Sequence, residues 1–191
     1  MHEKLIRKLK QYIKLTEDEE DIVVSLFKKK KLKKGECFLN QGEVCNKLGF
    51  VVKGIMSYNS TNDGNEITYN FADENGFICD YMSMLNGTPS GKNIKAIEDS
   101  ELLIITSEGL KKFYSSLHEG EKFGRLMMEQ VYTGSIKQLL SLYIDSPEER
   151  YKNFLQNFPN YHQRIPQYYI ASYVGVKPQS LSRIRKRLLK K

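Results

Sequence analysis

The residues best suited to chemistry in this sequence are the basic side chains at its C-terminal end. No aspartate or glutamate follows Glu149, whereas seven lysines and arginines follow Val176 and account for the whole formal net charge of +7. These seven are Lys177, Arg183, Arg185, Lys186, Arg187, Lys190 and Lys191. Basic groups gathered on one short element are suited to bind phosphate, as in a nucleic-acid backbone. Because charge runs also occur on solvated tails, the charge alone leaves both interpretations open.

The spacing of small and apolar residues predicts that these charges lie on two short helices joined by a tight turn. Ala171 is small enough for the second helix to cross closely over the first, and Gly175 can adopt the left-handed conformation that a three-residue turn needs. Pro178 suits the first turn of the second helix. The apolar residues around them are Ile170, Val174, Val176, Leu181 and Ile184. Residues 165–191 therefore predict a helix-turn-helix, which favours DNA binding over a solvated tail.

Length and composition narrow the class of protein. The 191 residues, 40% of them apolar, are enough for one full domain and a small second one. The sequence has no signal peptide and no long uninterrupted apolar run, so we expect a cytoplasmic protein without a membrane segment. Cys37, Cys45 and Cys79 are widely spaced and lack a CxxC pattern, which is typical of buried thiols in a reduced compartment.

Residues for catalysis or metal binding are sparse. A cupin-like metal enzyme would share a jelly-roll outline, but such enzymes need histidine and carboxylate ligands on their strands, and no histidine occurs between His2 and His118. The sequence also lacks a phosphate-binding loop, a GxSxG elbow and an HExxH motif. We therefore expect a protein that is not an enzyme and that binds no metal.

Residues 1–118 are predicted to form a β-rich domain that begins with two helices. We expect a basic amphipathic helix over residues 3–14 and a second helix that ends near Lys28 and begins with a capping box of Thr16 and Glu19. Turn glycines then recur about every ten residues, which is typical of an antiparallel sandwich or roll.

Within this domain the pattern predicts four further features. Residues 50–59 and 66–71 should form a hairpin, and residues 93–106 should contain a strand. Residues 77–87 should form a short helix between them. Another helix should begin at Ser107, whose hydroxyl can cap it.

A long helix is predicted from residue 119 to about residue 144. Its apolar residues cover more than one narrow stripe, so the helix needs two partners. The β-rich domain would be one, and a second copy of the helix would be the other, giving a two-fold dimer; burial within one chain is the alternative. The residues expected at the dimer contact are Phe123, Met127, Val131, Leu139 and Leu142. Ser146 and Glu149 form a second capping box, which predicts a domain boundary and hinge there.

The order of these parts resembles the Crp/Fnr family of bacterial transcription regulators over nearly the whole chain. The glycine turns KGE, QGE and KG at Gly35, Gly42 and Gly54, Arg150 in the capped helix, and the segment IASYVGVKPQSLSRIRK at residues 170–186 carry the resemblance. The arrangement is most similar to compact regulators of the Bacteroidetes branch. The resemblance implies a homodimer that binds a two-fold operator in double-stranded DNA and that works with RNA polymerase.

The resemblance places the base-reading side chains at Gln179, Ser182 and Arg183. Their chemistry agrees, because Arg183 can bind the O6 and N7 atoms of guanine and Gln179 can bind the N6 and N7 atoms of adenine. Many family members have glutamate where this chain has Gln179, which changes the base expected there. The residues expected to contact phosphate or backbone oxygens are Lys177, Ser180, Arg185 and Lys186.

The sensing end departs from the family pattern. In the family's cyclic-nucleotide cassette, a Gly-Glu pair holds the ribose, and a later arginine binds the cyclic phosphate. Here Cys79 and Asp80 occupy the pair, the arginine position falls near Ser90, and residues 50–110 contain no arginine. Lys92 lacks the bidentate fork of arginine, so we expect an effector other than cyclic AMP. The residues expected in the effector pocket are Asp80, Tyr81, Ser83, Ser90, Lys92 and Asn93.

The resulting expectation is an α+β protein with three parts: an antiparallel β-roll resembling a cyclic-nucleotide-binding domain (1–118), a long dimerisation helix (119–145) and an all-α helix-turn-helix domain without a full wing (146–191). Its expected function is a DNA-binding transcription regulator gated by a small molecule. The alternative is a nucleotide-sensing module that controls a partner protein. A haem or cluster sensor is not supported by the cysteine spacing or the histidine positions.

Overall fold

The computed structural model describes residues 1–62, 64–159 and 163–189. These residues form the predicted mixed α+β structure, with two antiparallel sheets and eight helices. Asp63 of the predicted hairpin turn and the basic residues Lys190 and Lys191 lie outside the described residues.

Eight strands form a roll of two four-stranded sheets. They are β1 (Lys28–Leu32), β2 (Cys37–Leu39), β3 (Lys47–Lys53), β4 (Met56–Asn62), β5 (Asn65–Ala72), β6 (Phe77–Ile78), β7 (Asn93–Ala96) and β8 (Ser100–Thr106). One sheet has the order β1-β8-β3-β6 and the other the order β2-β7-β4-β5. Val51 and Leu102 of the first sheet and Met56 and Ile94 of the second are buried in the core between them. The predicted roll is thereby confirmed.

Helices cover the outer face of the first sheet. They are α1 (His2–Leu9), α2 (Glu17–Leu26), α3 (Tyr81–Asn86), α4 (Ser107–Ser116) and the long α5 (Gly120–Ile144). Leu5 and Leu9 of α1, Val23 of α2 and Phe113 of α4 are buried with residues of β3 and β8 in one core. Thr16 and Glu19 form both hydrogen bonds of the predicted capping box at the start of α2.

Several predicted boundaries are corrected. The first helix ends at Leu9 rather than at residue 14, and residues 77–78 pair as β6 before α3 begins. Residues 93–106 form two strands in different sheets, because the chain bends between Ala96 and Ser100, where the Ser100 hydroxyl donates to the carbonyl of Glu98 over 2.8 Å.

The hairpin and one helix cap are corrected as well. The hairpin consists of β4 and β5, whereas residues 50–53 belong to β3 in the other sheet. Thr106, not Ser107, caps α4, because its hydroxyl accepts a hydrogen bond from the Gly109 amide. Ser107 is already the first helical residue.

Gly54 makes the passage from β3 to β4 possible. Its φ is +106°, and a Cβ at this position would lie 2.2 Å from the Ser100 hydroxyl oxygen. Only glycine fits both the left-handed backbone and this close approach. The chain can therefore cross from one sheet to the other within two residues.

Three short helices follow α5: α6 (Pro147–Asn157), α7 (Gln167–Val174) and α8 (Pro178–Leu188). The Ser146 hydroxyl and the Glu149 carboxylate form both bonds of the predicted capping box at the start of α6. These helices share a core with the roll, in which Phe71 of β5 contacts Phe154, Phe158 and Tyr173. The sequence did not predict this packing.

Candidate nucleic-acid interface and ligand cavity

The turn between α7 and α8 has the geometry that its residues predicted. Gly175 has a φ of +73°, in the left-handed region. Its amide donates to the carbonyl of Ser172 over 3.0 Å, and the Val176 amide donates to the carbonyl of Ala171 over 2.9 Å. These bonds satisfy the last carbonyls of α7. Pro178 then occupies the first turn of α8.

One side of α8 is buried and the other is open. Leu181 and Ile184 are 0% and 3% exposed, in a core with residues of α6 and α7. Gln179, Ser182 and Arg183, spaced three and four residues apart, are exposed. The three predicted base-reading residues therefore lie together on the exposed side of α8, and the buried side of the helix packs against α6 and α7.

The remaining predicted DNA-contacting residues differ in exposure. Lys177, Ser180 and Lys186 are exposed, whereas Arg185 is half-buried and lies beside Tyr151. Burial raises the pKa of the Tyr151 phenol, and the Arg185 charge offsets part of that rise. Arg187 lies 4.0 Å from the carboxylate of Glu148 on α6. Lys177 and Lys186 are thus the more accessible cations beside Arg183.

Arg150 fixes the turn to the end of α5. Its Nε donates to the carbonyl of Val174 over 2.7 Å, and its Nη1 donates to the carbonyl of Asp145 over 2.8 Å. The sequence singled out Arg150 but did not show these bonds, which join residues 24 and 5 positions apart. Arg150 is therefore a positioning residue for α8.

The long helix α5 has two distinct faces, and the predicted dimer residues divide between them. Phe123 is a correction: it is 6% exposed and packs against Phe77 and Phe113 of its own chain, so it faces the roll. Met127 is half-buried in the same core. Val131 and Leu142 line a groove of about 520 Å³ between α5 and the C-terminal helices.

Leu139 lies on the open face of α5. The exposed apolar residues of this face are Tyr132, Ile136, Leu139, Leu140 and Tyr143. Tyr132, Ile136, Leu139 and Tyr143 follow each other at intervals of four, three and four residues, so they form one stripe along the helix.

Asp80 is the centre of a buried polar cluster in the roll. It is 4% exposed; its Oδ2 accepts from the Ser90 hydroxyl over 2.8 Å, and its Oδ1 lies 3.2 Å from the Lys92 ammonium. Burial alone would raise the pKa of the Asp80 carboxyl, but the Ser90 and Lys92 contacts hold it below its ordinary value. Burial would lower the pKa of Lys92, but Tyr69 and Asp80 raise it above its ordinary value. Both groups are therefore charged and paired.

Two of the predicted pocket residues have structural roles instead. The Ser83 hydroxyl accepts from the Cys45 amide over 2.9 Å and donates to the carbonyl of Thr88 over 2.5 Å. The Asn93 side-chain oxygen accepts from the Gln41 amide over 2.8 Å. These bonds hold loops of the roll, and neither residue lines the cavity described next.

A cavity of about 420 Å³ lies between the roll and α5. Of the predicted pocket residues, Asp80, Tyr81 and Lys92 line it, and Ser90 lies behind Asp80. Sequence reasoning missed its aromatic and sulfur-containing walls, which come from separate elements: Tyr58, Tyr69, Phe77, Cys79, Phe113, Tyr114, Phe123, Met127 and Met128.

Burial raises the pKa values of the titratable groups in these walls. Burial raises the pKa of Tyr58 well above its ordinary value and raises the pKa of Tyr114 to about 12. Burial, with the neighbouring Cys45 and Asp80, raises the pKa of the Cys79 thiol to about 12. The Cys79 thiol is therefore protonated at neutral pH.

Among the residues that the structure describes, no three His, Cys, Asp or Glu side chains come together as a metal site. No helix in the described part of the chain has the length and apolar character needed to cross a bilayer.

Comparisons with known proteins support the fold of the roll and the long helix. The cyclic nucleotide-binding domain family matches residues 29–129, which span the roll and the first part of α5. No curated protein sequence matches the chain.

Solved structures match over most of the chain, at low sequence identity. The catabolite activator protein of Thermus thermophilus is 20% identical with a TM-score of 0.60, over 96% of this chain and 87% of that one. FixK2 of Bradyrhizobium japonicum is 18% identical with a TM-score of 0.74, over 86% and 85%. A transcriptional regulator of the crp/fnr family from Eubacterium rectale is 18% identical with a TM-score of 0.69, over 92% and 84%.

Proposed function

The chain belongs to the cyclic nucleotide-binding domain family, and we propose that it is a DNA-binding transcription regulator that acts as a homodimer. The observation that carries the proposal is the exposed face of α8, where Gln179, Ser182 and Arg183 lie side by side. The opposite side of the helix is held in the core by Leu181 and Ile184. Two of the structural matches, over 96% and 92% of this chain, are named as an activator and as a transcriptional regulator, so they extend beyond the roll into the C-terminal helices.

Base reading is assigned to the exposed face of α8. An α-helix fits the major groove of B-DNA, where Arg183 can pair with guanine and Gln179 with adenine. Lys177 and Lys186 flank this face and are accessible to phosphates, together with Ser180. Arg185 and Arg187 contribute less, because one lies against Tyr151 and the other beside Glu148.

Dimerisation is assigned to the open stripe of α5. Apolar residues repeated at three- and four-residue intervals on an exposed helix face are suited to pack against a second copy of the same helix. Such a two-fold contact would place two copies of α8 on successive turns of one operator. RNA polymerase is the further partner expected of a regulator with this architecture.

Effector sensing is assigned to the roll, as residues 1–118, with α5 as the connector and residues 146–191 as the DNA-binding domain. Cyclic AMP is not the effector we propose, because the sequence has no arginine between residues 50 and 110 and Lys92 is already paired with Asp80. An effector bound against α5 would shift the population of dimer states with different spacing between their α8 helices.

Selection from a randomised duplex pool tests the DNA-binding proposal. The wild-type protein should enrich a sequence with two-fold symmetry, and Arg183→Ala should weaken binding by ~1–3 kcal/mol and relax the base preference at one position of each half-site. Lys111→Ala is the matched control, because it removes a cation from the exposed side of α4 and should leave the enriched sequence and affinity unchanged. Lys186→Ala should make the dependence of log affinity on log salt shallower, by about 0.9 in slope per lost phosphate contact.

Two results would overturn the proposal. One is a pool without sequence enrichment, which would favour a module that acts on a partner protein. The other is an Arg183→Ala variant that enriches the same sequence with the same affinity as the wild type.

A further inference from the structure

We propose that a cleft between α1 and the turn that joins β5 to β6 binds a small soluble anion that carries phosphate groups. The cleft has a volume of about 310 Å³ and is lined by Lys4, Arg7, Lys8, Gln11 and Asn75. None of these residues lies on α8 or lines the cavity between the roll and α5. The cleft is therefore separate from the sites to which DNA binding and effector sensing were assigned.

The cations of the cleft come from one face of α1. Arg7 and Lys8 follow Lys4 by three and four residues, so the three side chains lie next to each other on the helix. Leu5 and Leu9, on the other side of α1, are both 0% exposed and are buried in the core with residues of β3. The apolar side therefore fixes the helix to the roll, and the basic side forms one wall of the cleft.

Two of the three cations are held in place by groups without negative charge. The Lys4 ammonium donates to the carbonyl of Val52 over 3.1 Å. The Lys8 ammonium lies 5.2 Å from the centroid of the Tyr12 ring. Within the described part of the chain, no carboxylate forms an ion pair with Lys4, Arg7 or Lys8. The cleft thus presents positive charge that is positioned but not neutralised, which suits an anion from solution.

Asn75 forms the opposite wall. Its φ of +69° lies in the left-handed region, which asparagine adopts more readily than most residues. Its backbone amide donates to the carbonyl of Val51 over 2.8 Å, and the Gly76 amide donates to the carbonyl of Asp73 over 2.9 Å. These bonds fix the turn, so the side-chain amide of Asn75 is available to donate to an anion in the cleft.

The acidic residues of this turn do not line the cleft. The Oε1 atom of Glu74, the residue before Asn75, accepts from the Gly54 amide over 2.9 Å and binds Arg164 over 2.8 Å. Glu74 is therefore neutralised by an arginine from the segment that leads into α7. An anion beside Asn75 would lie one residue away from this contact between the roll and the C-terminal helices.

The chemistry and size of the cleft favour a small phosphorylated molecule over a membrane or a nucleic acid. Ammonium, guanidinium and amide N–H groups are suited to bind phosphate oxygens. A helix that binds a bilayer needs a free apolar face, whereas Leu5 and Leu9 are buried. A volume of about 310 Å³ between two elements is at the small end of the range of ligand pockets, and it fits a compact anion better than a duplex backbone.

Titration with sodium pyrophosphate tests the proposal on the full chain, without DNA and at constant ionic strength. Because α8 also carries exposed cations, binding is followed by proton–nitrogen correlation NMR, in which the backbone amides of α1 and the side-chain amide of Asn75 report the cleft separately. We expect these signals to shift to saturation in the wild type. Arg7→Gln/Lys8→Gln should raise the dissociation constant measured at the cleft about 10-fold. Asn75→Gly, which keeps the left-handed backbone but removes the amide, should raise it about 2- to 10-fold.

Lys28→Gln/Lys29→Gln is the matched control. It removes two lysine charges from the exposed strand β1 and lowers the net charge by the same amount as the first variant. Its affinity for pyrophosphate at the cleft should equal that of the wild type. Both double variants should keep the wild-type circular dichroism spectrum, because no buried side chain is changed.

The proposal would be overturned if the cleft signals responded to pyrophosphate no more than to chloride, or if Arg7→Gln/Lys8→Gln kept wild-type affinity. Equal weakening in Lys28→Gln/Lys29→Gln would also overturn it, since it would show a general effect of net charge. Displacement of pyrophosphate from the cleft by a duplex without an operator, or by phosphatidic acid vesicles, at equal phosphate concentration would instead identify a nucleic acid or a membrane as the ligand.

Discussion

Asp80 shows how the surroundings of one side chain decide what a site can bind. By position in the sequence it stands where a relative would hold the ribose of a cyclic nucleotide. In the structure its two oxygens are occupied by Ser90 and Lys92, and it also accepts a longer bond, of 3.4 Å, from the Ser83 amide at the start of α3. A carboxylate with these partners stabilises the roll and has little capacity left for a ligand.

The buried pair predicts the pH dependence of stability. Asp80→Asn keeps the shape of the side chain but leaves Lys92 without its counter-charge, so the free energy of unfolding at pH 7 should fall by about 1–3 kcal/mol. Because the folded pKa of Asp80 lies below its unfolded value, the contribution is complete above the unfolded pKa, near 3.9, and is lost as the pH falls through the folded pKa. Urea unfolding between pH 7 and pH 3 should show the wild type and the variant converging at the acid end.

Asp99→Asn is the matched control for this prediction. Asp99 pairs with Lys33 over 2.9 Å, but both side chains are exposed, and such pairs contribute little to stability. Its unfolding should therefore follow the wild type closely across the same pH range. Equal stability of Asp80→Asn and the wild type at pH 7 would contradict the assigned role of the pair.

At the scale of elements, α5 is the part whose two faces have different partners. One face completes the roll core and the cavity through Phe123, Met127 and Met128, whereas the stripe from Tyr132 to Tyr143 is open. The N-terminal half of the open side is charged, with Arg125 and Glu129 paired over 2.5 Å. The apolar contact available to a second copy is therefore concentrated in the C-terminal half of the helix.

Leu139→Glu tests the stripe as the dimer contact. Leu139 is 49% exposed in the single chain, so the change should leave the fold intact, but it would bury a charge without a partner in the dimer. Sedimentation velocity should show a shift from dimer to monomer, and affinity for a two-fold operator should fall with it. Val24→Glu, on the exposed side of α2, changes another exposed apolar residue to the same acid and should remain dimeric. A monomeric wild type, or a dimeric Leu139→Glu, would rule out this contact.

At the scale of the whole molecule, the C-terminal helices are packed on the roll rather than suspended from α5. Phe71 of β5 lies among Phe154, Phe158 and Tyr173, and Arg164 binds Glu74 over 2.8 Å and also binds Glu98 of the roll. The position of α8 therefore depends on β5 as well as on the joint at Ser146. An effector that moves β5 would therefore change the position of α8 relative to the roll.

Arg164→Ala should loosen this packing without unfolding the roll. Because the guanidinium is about one-third exposed, its two ion pairs are partly screened, and we expect amide hydrogen exchange in α7 and α8 to accelerate by only about 2- to 5-fold. Exchange in β3 and β8 should not change. Arg125→Ala, which breaks an exposed ion pair within α5, is the control and should leave α7 and α8 unaffected. Unchanged exchange in α7 and α8 of Arg164→Ala would show that these ion pairs do not hold the C-terminal helices to the roll.

The sequence by itself determined the features that depend on near neighbours in the chain. The capping boxes at Thr16 and Ser146, the left-handed turn at Gly175 and the shared face of Gln179, Ser182 and Arg183 all follow from interactions within about four residues, which spacing reveals. The tertiary structure alone decided that Phe123 faces the roll, that Asp80 is paired with Lys92, that Tyr58 and Tyr69 face the cavity, and that α7 packs on β5. These features join residues from distant elements, and side-chain periodicity shows which face of an element is buried but not which other element covers it.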